Sequence, residues 1–508
     1  MSRSKKSVKN IKYALIGQLL GLIISFIARI VFIRILGSEY LGLNGLFSNI
    51  LVMLSLAELG VGEAITFSLY EPLAKNNKKK CKALMQIYKK VYTIIEIIIL
   101  IIGICITPIL PFLIKEMPNI KNINLIYILF VVNTSISYFF SYKRNLIIAD
   151  QNRYIATFYR YSFYIVLNIL QVIFLIITKN YIIFLLLQVM NTLLENIFVS
   201  RKANKIYPYL LEKDIVSLDN KSKKKIVKNT KAMMMHKIGG IVVTSTDNII
   251  LSKFVGLTAV GLYSNYFLIL NALNIIFSQI YSSIVASVGN LFAVTNKEKQ
   301  FEIFEKIDFL GFWIYCFSSV CLLCLFNPFI TIWIGKKYLF NINIVLILVI
   351  NFYITGMRKS NLTFREASGL FYKDRWKAVV EAIINLVASI ILAIKFGVFG
   401  VFFGTFISSI TTCVWVEPYV LFKYGFNKKL SIYFKKYFYY LFITIFISII
   451  TYYLCSLING NAYIMFFIKT IICLIIPNSI LIIIFKNDNN FKYYCSFVKN
   501  LISKRKIS

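Results

Sequence analysis

The 508-residue chain is 58% hydrophobic and 15% charged, and its formal net charge is +36 at pH 7. Together with a mean hydropathy of +0.73, this composition excludes an ordinary soluble domain, because a protein interior cannot hide that much apolar surface from water. The basic residues flank apolar runs and form no recognition module, so nucleic acid is not the expected partner; anionic lipid headgroups are.

Long apolar runs recur along the chain and predict fourteen transmembrane helices, because about 20 apolar residues cross a bilayer core. The run after the basic segment 1–12 is longer than a signal-peptide core, so we expect an uncleaved first span. The predicted spans are 13–36, 41–69, 91–114, 123–142, 154–178, 180–200, 232–255, 260–294, 307–335, 342–364, 376–395, 397–422, 437–457 and 462–485.

Lys and Arg residues fall mainly in alternate gaps between the spans, and this asymmetry predicts orientation. With a cytoplasmic amino terminus, the inside segments hold 47 of the 57 basic residues. We therefore expect a multi-pass protein of the cytoplasmic membrane with both termini in the cytoplasm. The other ten basic residues are Arg29, Arg34, Lys115, Lys121, Lys179, Lys253, Lys336, Lys337, Lys395 and Lys469.

The two halves of the chain show weak internal similarity at an offset of 219 residues. Gly37 aligns with Gly256, and Gly42 aligns with Gly261. Chance similarity between apolar helices is the alternative explanation. Since each half has six spans, an even number, we expect parallel repeats related by a pseudo-two-fold axis, an arrangement that suits a transporter with a central cavity.

The predicted organisation follows from the spans and from the long basic gap between the sixth and the seventh. It comprises an N-terminal six-helix lobe (1–200), a basic cytoplasmic linker (201–231), a C-terminal six-helix lobe (232–425), and helices 13 and 14 with a cytoplasmic tail (426–508).

Motifs rich in glycine and small residues occur at 29–43, 57–62, 245–266 and 396–405. In these motifs the chain resembles the oligosaccharide flippases of the multidrug/oligosaccharidyl-lipid/polysaccharide exporter superfamily. The resemblance implies fourteen helices, in two six-helix lobes plus two extra helices. It also implies movement of a polyprenyl-diphosphate-linked glycan from the cytoplasmic to the outer leaflet.

An anionic diphosphate-sugar head needs cations and hydrogen-bonding groups facing inward, and polar stripes at helical spacing are the expected trace. Arg29 lies roughly midway along the first span, where a lipid-facing cation is costly, so we predict that it contacts the diphosphate. A structural ion pair with Glu58 or Asp247 is the alternative, and helix packing is the alternative for each Ser and Asn. The candidate substrate-binding residues are Gln18, Ser25, Arg29, Asn44, Asn271 and Asn274.

Three carboxylates are candidates for coupling to H⁺ or Na⁺, namely Glu58, Glu63 and Asp247, since a carboxylate in a low dielectric can exchange a cation. Static pairing with Arg29 or capping of a broken helix is the alternative. For His236, the only histidine, a surface position is favoured over a titrating switch. The sequence suggests no partner for the other acids in or near spans, Glu96, Glu195, Glu381 and Glu417.

Enzyme signatures are missing from the sequence, which has no G-x-x-x-x-G-K-[ST] phosphate loop and no outside loop of domain size. The nine cysteines lie mainly in spans, and Cys316, Cys321 and Cys324 provide no tetrahedral ligand set on one helix. We therefore expect no metal site, no cofactor and no enzymatic activity.

The function predicted from these features is that of a flippase working by alternating access. Its expected partners are a polyprenyl-diphosphate-linked oligosaccharide and membrane lipids, with H⁺ or Na⁺ as a candidate coupling ion. A multidrug/cation antiporter of the same superfamily is the main alternative, and a membrane glycan polymerase or a non-transporting scaffold is a more distant one.

Overall fold

A computed structural model describes residues 3–58, 60–212, 245–370 and 373–505, with scattered single positions between 213 and 244. The regular elements of these residues are all helices, which confirms the all-α prediction. The chain divides into two compact units, Met1–Ser264 and Asn265–Ser508. The four-segment organisation drawn from the sequence stays a prediction.

The first unit is built from long helices with short interruptions. Helix α1 packs along α8, α8 packs against α9, and α4 packs against α6, which in turn contacts α9. The helices are α1 (Arg3–Leu36), α2 (Ser38–Leu54), α3 (Val61–Ala74), α4 (Lys78–Ile106), α5 (Leu110–Leu113), α6 (Ile123–Tyr138), α7 (Ser141–Ala149), α8 (Arg153–Thr178) and α9 (Tyr181–Ile206), and α10 (Leu257–Val294) begins in this unit.

The second unit is arranged around helix α11, which contacts α12, α15 and α16. The aromatic rings of Phe312 and Tyr440 stack with centroids 4.0 Å apart, joining α11 to α15 in the buried core. The helices are α11 (Lys297–Trp333), α12 (Ile342–Ala367), α13 (Lys377–Ser408), α14 (Val414–Val420), α15 (Leu430–Ser456), α16 (Ala462–Phe485) and α17 (Asn489–Arg505).

Ten helices of the described residues are long and apolar enough to cross a membrane, or eleven when α6 and α7, bent by 43°, form one span. One of the ten, Lys377–Phe426, reverses at Gly397, whose φ is 57° and ψ is −131°. Across this turn Ser389 Oγ donates to the Val401 carbonyl at 3.0 Å, so the two arms are antiparallel. The arms correspond to the predicted spans 376–395 and 397–422.

Two of the predicted spans do not correspond to one continuous helix in the described residues. The span 41–69 is interrupted, because α2 gives way to a 3₁₀ turn at Ser55–Glu58 and Gly60 has a left-handed φ of 75°. Half of the span 232–255 lies outside the described residues, as does nearly half of the basic linker 201–231, of which the structure shows the end of α9 and a 3₁₀ turn at Pro208–Leu210.

The glycine segments that align at an offset of 219 residues contact each other in the first unit. A Cβ on Gly42 would collide with the Leu257 carbonyl oxygen, and a Cβ on Gly261 would collide with that of Ser38. Ser38 and Leu257 are themselves separated by 219 positions, so the two contacts are reciprocal, as a local two-fold relation requires. The small residues in these segments permit close approach of α2 and α10.

Candidate functional site

Arg29 lies inside the candidate membrane span Lys12–Leu36 and is half-buried. Its Nη1 donates a hydrogen bond to Ser264 Oγ at 3.0 Å, and the phenols of Tyr164 and Tyr181 interact with it electrostatically. Among the described residues, no carboxylate forms an ion pair with its guanidinium. The cation is therefore held by neutral groups in a place where an uncompensated charge is costly.

The two acids considered as structural partners of Arg29 have other neighbours. Glu58 accepts a hydrogen bond from Tyr92, and Asp247 is half-buried and interacts electrostatically with Tyr263. Both acids contact tyrosines, and the ion pair with Arg29 that the sequence offered as an alternative stays a prediction.

Other residues of the predicted polar face of α1 pack against α8. Ser25 Oγ lies 2.5 Å from Tyr164 OH and donates to the Gly21 carbonyl at 2.8 Å. A Cβ on Gly21 would lie 3.2 Å from the ring of Tyr161, and Gln18 is half-buried. These contacts of Ser25 and Gly21 are helix packing, and a role of Ser25 and Gln18 in substrate binding stays a prediction.

The remaining candidates for substrate binding occupy two helices. Asn44, in α2, is half-buried, and its Oδ1 lies 3.4 Å from Ser48 Oγ. Asn271 is exposed and Asn274 is half-buried in α10, within the second unit, whereas the other four candidates belong to the first. His236 lies outside the described residues.

Glu58 stands at the break between α2 and α3, where a polar network converges. Tyr92 OH donates to Glu58 Oε1 at 2.5 Å, Tyr88 OH donates to the Gly62 carbonyl at 3.0 Å, and Asn145 Nδ2 donates to Tyr88 OH at 2.5 Å. A Cβ on Gly62 would collide with the Tyr92 hydroxyl and the Glu58 carboxylate, so glycine makes room for the network. A carboxylate beside a helix break can bind a proton or a cation, because unwound backbone also exposes carbonyl oxygens.

The other two coupling candidates have different surroundings. Glu63, in the first turn of α3, is exposed, and Asp247 is half-buried in the helical segment that precedes Gly256. Glu58 has a buried tyrosine partner, Tyr92. The role of all three in ion coupling stays a prediction.

A charged cluster in the second unit was missed by the sequence analysis. Arg358 donates two hydrogen bonds to Glu417, at 3.0 and 2.7 Å, and Lys377 Nζ lies 2.6 Å from the same carboxylate. Glu381 completes the cluster at 3.3 Å from Lys377. Glu417 is fully buried, so the cluster joins α12, α13 and α14 through charge-assisted bonds in a low dielectric.

A corresponding ion pair joins helices of the first unit. Arg144, in α7, lies 2.6 Å from Glu195 in α9. The bent pair α6–α7 and helix α9 are the fourth and sixth predicted spans, while Arg358 and Glu417 belong to the tenth and twelfth, which are their equivalents in the second half. Neither the arginines nor the acids align at the offset of 219 residues, so the internal repeat read from the sequence did not reveal these pairs.

The fold is shared with multi-pass membrane transporters of known structure. The chain is similar to the lipid II flippase MurJ in an inward closed conformation, with 16% identity, a TM-score of 0.65, and coverage of 94% of this chain and 99% of that one. It is also similar to an inward-facing multidrug resistance MATE transporter, with 15% identity, a TM-score of 0.63, and coverage of 80% and 97%. A third similar structure is a MOP superfamily transporter from Pyrococcus furiosus whose binding pocket has reverse polarity, with 16% identity, a TM-score of 0.51, and coverage of 83% and 96%.

The chain belongs to the polysaccharide biosynthesis protein family, whose model matches residues 7–286. This match and the structural similarities confirm the resemblance to flippases of the exporter superfamily. None of the curated proteins matches the sequence. The matched structures that name an activity are flippases and transporters.

Proposed function

We propose that the chain flips polyprenyl-diphosphate-linked oligosaccharide repeat units across the cytoplasmic membrane for cell-surface polysaccharide biosynthesis. In this proposal it acts by alternating access, without enzymatic chemistry of its own, and both termini lie in the cytoplasm. The family membership and the similarity to a lipid II flippase support a lipid-linked substrate.

The observation that carries the proposal is the environment of Arg29. A guanidinium has five N–H donors in a planar fork that matches phosphate geometry. One N–H is given to Ser264, and the described residues supply no carboxylate for the others. A diphosphate is the anion that would both neutralise the charge and use the remaining donors.

The test is a set of Arg29 variants in cells that depend on the chain for surface polysaccharide. Arg29→Ala should lower surface glycan strongly, because a hydrogen bond to a charged group contributes about 1.5–3 kcal/mol, and Arg29→Lys should restore part of it because the charge returns without the fork. Arg34→Ala, in the same helix but exposed at its end, is the matched control and should behave as wild type. Normal surface glycan with Arg29→Ala, at equal protein level, contradicts the proposal.

The nearest alternative is a multidrug or cation antiporter, and the similarity to MATE transporters favours it as a second candidate. A cavity for cationic drugs should offer carboxylates, whereas Arg29 offers a cation. Purified chain in proteoliposomes should therefore fail to take up cationic drugs against an imposed H⁺ or Na⁺ gradient. Robust drug uptake that is lost in Glu58→Gln would support the antiporter instead.

A further inference from the structure

Three buried cysteines of the second unit converge from three helices. Cys324 in α11, Cys455 in α15 and Cys473 in α16 are each at most 5% exposed. Their Sγ atoms all lie within 4.8 Å of one another, and those of Cys455 and Cys473 are 4.0 Å apart. Only the cysteines of one helix were considered from the sequence, so this group was missed, because Cys324 is more than 100 positions from the other two in the chain.

The spacing of the three sulfurs fits coordination of one metal ion. Sulfur ligands lie about 2.3 Å from a bound metal, so three of them around an ion in a trigonal plane are about 4.0 Å apart. The observed separation of Cys455 and Cys473 equals that value. It is about twice the length of a disulfide bond, so the pair is placed as two separate thiols.

The chemistry of the cluster selects among metals. Zn²⁺ is almost always four-coordinate in structural sites, whereas this group offers three ligands among the described residues. Thiolate sulfur is the preferred ligand of the soft ion Cu⁺. Lys469 lies one helical turn before Cys473 in α16, so it places a positive charge on the same face of that helix.

We propose that Cys324, Cys455 and Cys473 form a three-coordinate site for Cu⁺. Each thiol loses its proton as the sulfur binds the metal, and no electron is transferred. Cys455 is the penultimate residue of α15, next to the connection 457–461, which gives the ion a short path of entry. Bound Cu⁺ would tie α15 and α16 to α11, a stabilising role that is independent of the transported substrate.

The first test is Cu⁺ binding to the purified full-length chain in detergent, without oxygen and against a colorimetric Cu⁺ chelator. Wild type should bind one equivalent, and Cys324→Ser, Cys455→Ser and Cys473→Ser should each bind none in competition with the chelator. Cys316→Ser is the matched control, because Cys316 is buried in the same helix as Cys324 but is outside the group. Equal copper in wild type and the three variants, or no copper in wild type, would overturn the proposal.

A second measurement does not require the variants to fold. X-ray absorption at the copper edge of the wild-type chain should show three sulfur neighbours at about 2.3 Å. Cu⁺ should also raise the thermal unfolding midpoint of wild type, because a ligand that binds only the folded state stabilises it. Oxygen or nitrogen neighbours, a disulfide between Cys455 and Cys473 in the chain as isolated from cells, or tighter binding of Zn²⁺ than of Cu⁺ would each overturn the assignment.

Discussion

Two charged side chains within the first unit show how neighbours determine what a charge can do. Arg29 is bonded to a serine hydroxyl and lies near two tyrosines, so its positive charge is not neutralised by a described carboxylate. Glu58 is bonded to the hydroxyl of Tyr92, which stabilises a carboxylate without neutralising it. We therefore propose that Arg29 binds an anion and that Glu58 binds a coupling cation.

At the same residue scale, we expect Glu58→Gln to remove the dependence of transport on an H⁺ or Na⁺ gradient. The amide keeps the size of the side chain but cannot bind and release a cation. Flipping rates in proteoliposomes under imposed gradients would measure the effect, with Glu71→Gln as a control, since Glu71 is an exposed acid paired with Lys75. Persistence of the gradient dependence in Glu58→Gln would exclude Glu58 as the coupling group.

At the scale of the element, glycine determines how closely helices α2 and α10 approach each other. Gly42→Ala and Gly261→Ala should each destabilise the fold by about 1–3 kcal/mol, because the added Cβ meets a backbone carbonyl that cannot rotate away. The thermal unfolding midpoint in detergent measures the loss.

The matched control for this pair is Gly21→Ala, whose Cβ would meet side-chain rings rather than backbone, that of Tyr161 at 3.2 Å and that of Tyr164 at 3.6 Å. The effects of Gly42→Ala and Gly261→Ala should also be non-additive in the double variant, since both substitutions act on one reciprocal contact. Additive effects, or wild-type stability of Gly42→Ala, would show that the contact of α2 with α10 is not tight.

The buried charges of the second unit give a further prediction for its helices. Glu417→Gln should lower stability by about 3–5 kcal/mol, because it leaves the half-buried cations Arg358 and Lys377 without the buried carboxylate that they share. Unfolding in detergent measures this loss.

The comparison for this prediction is Glu71→Gln, which breaks an exposed pair with Lys75 and should cost less than about 1 kcal/mol. Equal losses for the buried and the exposed pair would mean that the cluster does not hold α12, α13 and α14 together.

Part of this architecture could be predicted from the sequence, because each membrane helix is a local run of apolar residues. Gly397 divides two apolar runs at the position where the structure turns the chain back. The break at Gly60 was not predicted, because the stretch 41–69 is long enough for one span, and the contacts of Tyr88 and Tyr92 with Gly62 join residues that are distant in the sequence.

Contacts between side chains of distant helices could not be read from composition. Arg358 and Glu417 are 59 positions apart, and an arginine at the end of a span is also explained by orientation alone. For the candidate site, the sequence identified Arg29 as a cation inside a span but left its ion-pair alternatives open. The hydrogen bond from Arg29 to Ser264, 235 positions away, is visible only in the structure.

At the scale of the whole molecule, the predicted topology accounts for most of the positive charge. The predicted cytoplasmic segments hold 47 of the 57 basic residues, which leaves few cations for contact with a substrate. The family and the fold fit transport of a lipid-linked glycan, and Arg29 connects that expectation to one side chain.

The most direct measurement is flipping of a fluorescent polyprenyl-diphosphate-linked oligosaccharide in proteoliposomes that contain the purified chain. We predict that wild type moves the lipid between leaflets and that Arg34→Ala behaves alike. Arg29→Ala should be slower by about 10- to 100-fold, the factor that corresponds to loss of a charged hydrogen bond. The account is contradicted if wild type does not flip this lipid, or if Arg29→Ala flips it at the wild-type rate.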